Sequence, residues 1–112
     1  MKKINFNLIK NNEIIIDEKS LNSIQNNNKI SFIIDGIKYS YQNNIFTKET
    51  KEEVIELDFK EEICKITLKE YNNFLNLKLD VINIKDNDKI TKVEYKIETE
   101  EDVVNIINIE YV

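Results

Sequence analysis

The sequence predicts an all-β fold, an antiparallel up-and-down meander that closes into a small barrel or folds as a sandwich. Three observations predict it. Apolar and polar residues alternate with period two along most of the 112 residues. Short polar clusters interrupt the alternation at hairpin spacing. The composition favours strands, because Ile, Val, Tyr and Phe are plentiful and alanine is absent. The length suits one domain spanning 1–112. The Asn, Ile and Lys bias matches what an AT-rich genome produces, yet it still shapes the chain.

The clearest element is Lys29 to Tyr41, KISFIIDGIKYSY. Asp35-Gly36 is a two-residue hairpin signal, since both central positions of a type I′ turn require φ > 0. Counting outward pairs Ile34 with Ile37, Phe32 with Tyr39, and Ile30 with Tyr41. Those six share one face; Ser31, Ile33, Lys38 and Ser40 take the other. Before this hairpin, Lys2 to Ile9 alternates, with Ile4, Phe6 and Leu8 on one face. Lys10-Asn11-Asn12 reads as a three-residue loop that sets Leu8 opposite Ile14 and Phe6 opposite Ile16. Asp17 to Asn28 reads as a loop, with a single helical turn capped by Ser20 as the competing reading. Gln42 to Glu52 reads as a second polar connection around an Ile45-Phe46 island.

Thr50 to Glu70 supports two readings. Thr50 and Glu53 form a capping-box pattern, with Val54, Leu57, Cys64 and Leu68 on one helical face, which would make the fold α+β with a helix at about 50–70. As strands, Ile55, Leu57 and Phe59 alternate with Glu56 and Asp58. A turn at Lys60 to Ile63 then pairs Phe59 with Cys64 and Leu57 with Ile66. The helix would place Glu61 in its apolar stripe, whereas the strands bury no charge, so strands are preferred.

Further on, Leu75, Leu77, Leu79 and Val81 alternate, as do Val93, Tyr95 and Ile97. A loop at Asp86-Asn87-Asp88 pairs Val81 with Val93. Glu98 to Asp102 is another polar turn, and Ile107, Ile109 and Tyr111 form a last strand. The count is about eight or nine strands. Exposed edges invite aggregation, so pairing the first strand with the last is the expected closure.

The segments ISFIIDGIKYSY, VIELDF, ICKITL, LNLKLDVINI and ITKVEYKIET together resemble the YwiB-like family of uncharacterised bacterial proteins. The resemblance lies in strand order and spacing over most of the chain. It implies a calycin-like (lipocalin-like) β-barrel and no particular activity. The family's Arg-Gly after the strand ending at Leu68 is replaced here by Lys69-Glu70. Its Tyr-x-Thr segment ending in Gly is replaced by a shortened Tyr71-Asn72-Asn73.

Charge and composition exclude several functions. The net charge is −5, which opposes nucleic acid and anionic membrane and favours a protein partner with a basic surface. With one cysteine, no N-x-S/T sequon and no apolar leader after Met1-Lys2-Lys3, a cytoplasmic address is expected. No run approaches the ~20 apolar residues of a membrane span. Without histidine or arginine there is no imidazole base and no bidentate anion clamp. Asp86-Asn87-Asp88 fails as a calcium loop, because Ile90, Thr91 and Ile97 stand where oxygen ligands and a glycine are needed. Cys64 shares its strand face with Ile66 and Leu68 and reads as a buried, inert thiol rather than a nucleophile. No catalytic residue, metal or cofactor is expected.

The expected role is a structural or interaction module without catalytic activity, and the alternative is a carrier of a small apolar ligand. The core face assigned from alternation is nearly all large residues and lacks a lysine to meet a carboxylate. Only the hydroxyls of Tyr39, Tyr41, Tyr95 and Tyr111 are placed to orient a guest, so these four are the candidate ligand-binding residues. A filled core without tight fatty-acid binding follows.

Overall fold

Positive φ angles organise the first half of the chain. Asn11-Asn12, Asn27-Asn28, Asp35-Gly36 and Asn43-Asn44 all have both residues in the left-handed region, between 50° and 78°. These are four two-residue hairpin turns of the type I′ class. Asparagine stands where glycine would be ideal, because its short side chain tolerates this conformation better than other residues do. Much of the asparagine content is therefore used in turns.

The computed structural model describes residues 2–112. Among them are ten strands and no helix. The strands are β1 (Lys2–Lys10), β2 (Glu13–Asn26), β3 (Lys29–Ile34), β4 (Ile37–Gln42) and β5 (Ile45–Glu49), then β6 (Glu53–Asp58), β7 (Ile63–Leu68), β8 (Asn73–Asp86), β9 (Ile90–Ile97) and β10 (Glu100–Tyr111). Neighbouring strands run antiparallel, and the hydrogen-bonded order β1-β10-β9-β8-β7-β6-β5-β4-β3-β2 closes as an up-and-down barrel. β1 pairs with β10, from Ile4 opposite Tyr111 to Lys10 opposite Asn105. The helical alternative for 50–70 is excluded. Thr50 Oγ1 does accept from the Glu53 amide at 3.2 Å, as a cap would, but the chain goes on into β6.

The chain divides into two compact units, Met1–Asn22 with Asp80–Val112, and Ser23–Leu79. The divisions fall within β2, after Asn22, and within β8, after Leu79. In the unit Ser23–Leu79, the β3–β4 register is the one expected, with Phe32 opposite Tyr39 and Ile30 opposite Tyr41. Its core holds Ile30, Phe32, Ile34, Tyr39, Tyr41, Phe46, Leu57, Phe59, Cys64 and Leu79. In the other unit, Ile4, Phe6, Val93, Tyr95, Ile107 and Ile109 are buried, together with the polar Thr91 and Asn105.

Several expectations are corrected. The Lys10-Asn11-Asn12 loop has two residues rather than three, so the register that set Leu8 opposite Ile14 does not form. Asp17 to Asn28 is mostly strand. Its alternation was obscured by a slip at Ser20, whose φ is 54°. Burial runs through Ile16 and Glu18, then skips to Leu21 and Ser23, as an inserted bulge residue requires. Gln42 to Glu52 is not a plain connection, because Asn43-Asn44 turns the chain into β5 and buries Phe46. The β6–β7 loop is Phe59 to Glu62, which pairs Leu57 with Cys64 and Ile55 with Ile66. That register is two residues from the expected one, so the faces are unchanged. Asp58 closes the loop by accepting from the amides of Lys60 and Glu61 at 3.1 and 3.0 Å. The β8–β9 bend lies one residue later, at Asn87 to Lys89, because Asn87 Oδ1 accepts from the amides of Lys89 and Ile90. Leu68 and Leu75, assigned to the core face, are exposed.

Candidate functional site

The four candidate tyrosines are shared between the units. Tyr39 and Tyr41 belong to Ser23–Leu79; Tyr95 and Tyr111 belong to the other unit. Within Ser23–Leu79, Tyr39 stacks on Phe32, with centroids 5.5 Å apart and planes 15° from parallel. It also meets Phe46 at 5.9 Å in a tilted contact. The alternation of β4 puts Tyr41 on the same face, and its hydroxyl donates to Asn44 Oδ1 at 3.4 Å. Burial raises the Tyr39 phenol above its ordinary value, and the nearby Asp35 charge adds to this.

In the other unit, Tyr95 is buried, and its backbone carbonyl accepts from Asn105 Nδ2 at 3.5 Å. Tyr111 ends a short relay. Its hydroxyl lies 2.7 Å from Thr91 Oγ1, which donates to Asp86 Oδ1 at 2.8 Å. Thr91 has one hydrogen and gives it to Asp86, so the phenol donates to Thr91. Burial is the main reason the Tyr111 pKa is raised; the Thr91 bond opposes it and Asp86 adds to it. A phenol held neutral in this way ties β10 to the β8–β9 bend. It is poorly suited to give up a proton near neutral pH.

Sequence reasoning missed two features. The first is Lys48. The registers place it on the core face of its sheet, between Tyr39 of β4 and Ile55 of β6. The expectation that this face has no lysine is therefore wrong. A polar connection over 42–52 gives Lys48 no face, whereas β5 gives it one.

The second is a groove on the outer face of Ser23–Leu79, with a volume of about 330 Å³. Ile24, Asn26, Asn27, Lys29, Ser31 and Gln42 line it. Gln42 Nε2 donates to the Asn27 carbonyl at 3.0 Å and so braces one wall against a turn. Ile24 lies opposite Ser31, and Ile33 follows two residues along the same face. Ile24 is 63% exposed and Ile33 60% exposed. One signal was legible in advance, since alternation had put Ile33 on the polar face of its hairpin.

Cys64 sits between Leu57 and Leu77 in the core rows, and burial pushes its thiol up. It has neither the access nor the thiolate character of a nucleophile. Among the described residues, no group of three Cys, Asp or Glu side chains is placed to hold a metal ion. Among the described residues, no helix is long and apolar enough to cross a membrane. No family model, curated protein or solved structure matches this chain.

Proposed function

We propose that this chain is a non-catalytic interaction module that docks a protein partner on the outer face of β2–β4. The observation that carries the reading is the pair of exposed isoleucines beside a polar groove, Ile24 and Ile33. On a strand face that alternation makes polar, large exposed aliphatic residues mark contact surfaces when they cluster. The absence of histidine and arginine and the upward shift of the buried phenols and thiol support a non-enzymatic role. A cytoplasmic address goes with this reading through the lone, buried cysteine. Membership of the YwiB-like family belongs to the proposal too. It rests on strand order and spacing, and the closed antiparallel order is compatible with a calycin-like barrel.

Affinity capture from a native extract tests the docking face. Wild type is expected to retain a partner that an Ile24→Ser/Ile33→Ser variant, folded by circular dichroism, loses. A partner retained equally by both proteins would remove this face from the reading.

A second reading, the small-ligand carrier, gains support from Lys48. Its ammonium shares a face with Tyr39 and with the apolar Ile55, Ile66 and Leu75, and Leu75 is 55% exposed. A carboxylate carrying an alkyl tail suits that combination. Titration with a fluorescent fatty acid should then saturate at one equivalent and weaken about tenfold in Lys48→Met. No saturable binding would leave the filled-core reading in place.

A further inference from the structure

The docking face carries a charge opposite to that of the chain as a whole. Its outer-pointing side chains on β2 from Ile24, and on β3 and β4, are Ile24, Asn26, Lys29, Ser31, Ile33, Lys38, Ser40 and Gln42, with two lysines and no acid. The chain as a whole is at −5. One carboxylate borders the patch. Glu49 lies opposite Lys38, but its Oε2 accepts from Lys69 Nζ at 2.7 Å, so two lysines share it. Both lysines hold the Glu49 carboxyl below its ordinary value, Lys69 more strongly. Asp35, on the turn beyond Ile34, is the other acid at that end.

We propose that the occupant of this face is an acidic peptide segment of a partner protein, anchored by an aliphatic or aromatic side chain between Ile24 and Ile33. The inference rests on reading the chain as an interaction module and adds the partner's chemistry. The strands here are already paired on both sides, so the segment cannot join the sheet as a further strand. It must meet the face side chain to side chain. Ile24 and Ile33 are diagonal neighbours across β2 and β3, about 7–8 Å apart, which is the footprint of one large apolar residue. Lys29 and Lys38 stand on β3 and β4 on the same face, where carboxylates flanking that residue would reach them. The amides of Asn26 and Gln42 on the groove wall provide hydrogen bonds for the segment's backbone. Net charge predicted a basic partner. Within a Debye length of about 8 Å, local charge governs a contact of this size.

Short random peptides displayed on phage, selected against the full chain, test the proposal. Recovered sequences should place Asp or Glu within two positions of Leu, Ile, Val or Phe. A synthetic peptide of the recovered sequence, followed by fluorescence polarisation, should bind about tenfold or more weakly to Ile24→Ser/Ile33→Ser and to Lys29→Glu/Lys38→Glu. Its binding should weaken severalfold between about 0.05 and about 0.5 M salt. Lys65→Glu/Phe74→Ser, at the cation–π contact on the same outer face but on the distant strands β7 and β8, should bind as wild type does. Loss with the isoleucine variant but not with the lysine variant, or recovery of basic peptides, would keep the docking face and overturn the acidic partner. Equal binding to all variants, or no enriched peptide, would overturn both. A dimer in light scattering that Ile33→Ser abolishes would make a second copy the occupant and also overturn the proposal.

Discussion

The two units bury tyrosine in different ways. In Ser23–Leu79, Tyr39 is one ring of an aromatic row with Phe32 and Phe46. In the unit made of Met1–Asn22 and Asp80–Val112, Tyr111 lies at the end of a hydroxyl relay through the fully buried Thr91 to Asp86. Strand alternation placed both residues on core faces, but their neighbours gave them different work. An aromatic row gains from area removed from water and from ring geometry. A relay gains little net energy per bond but is costly to interrupt, because a buried donor or acceptor is left unmade. One unit should therefore be sensitive to lost volume and the other to lost hydrogen bonding.

The largest effect expected comes from Phe32→Ala, which removes the ring under Tyr39. It should cost about 3–5 kcal/mol, read as a lower urea midpoint. A loss below about 1 kcal/mol would mean that the row is not what holds this unit. Next comes Thr91→Val, nearly isosteric, which takes the acceptor from the Tyr111 hydroxyl. A cost of about 1–3 kcal/mol is expected. Tyr111→Phe in the Thr91→Val background should recover part of it, since no phenol is then left unpaired. Failure to recover any would show that the relay does not matter as a unit.

The smallest effect concerns pH. Tyr39 and Tyr111 have folded pKa values raised above their ordinary 10.0. Below that value both states hold the proton, and the stabilising contribution is complete. As the pH rises past it, the unfolded chain ionises while the folded one does not, so stability falls until the raised folded values are passed. Urea unfolding between about pH 8 and about pH 11 should show this decline, and Tyr111→Phe should make it shallower. An unchanged slope would mean that Tyr111 ionises as readily folded as unfolded.

The hairpin at Asp35-Gly36 was legible because a single dipeptide specifies its turn and register. Strand β2 was not, because Ser20 slips the alternation halfway along and its backbone amide is taken by Asn5 Oδ1 at 2.9 Å, a partner fifteen residues away in sequence. Strand β5 was missed because Asn43-Asn44 was read as polar connection rather than as a turn equivalent to Asn-Gly. Four such turns recur, and that recurrence was the available signal. The candidate site suffered from the same error. With β5 absent, Lys48 had no face, and the groove bounded by β2 was hidden inside a supposed loop.

By itself the sequence determined the all-β class, the antiparallel meander, the pairing of first and last strands, and the faces of most strands. Those properties follow from a two-residue period and short turns, which are local. Tertiary structure alone decided the strand count, the relay from Tyr111 to Asp86, the exposure of Leu75 and the position of Lys48 beside Tyr39. Each depends on the register between strands and on what covers a face. A shift of one residue in pairing reverses a face, and periodicity within a single strand carries no record of that shift.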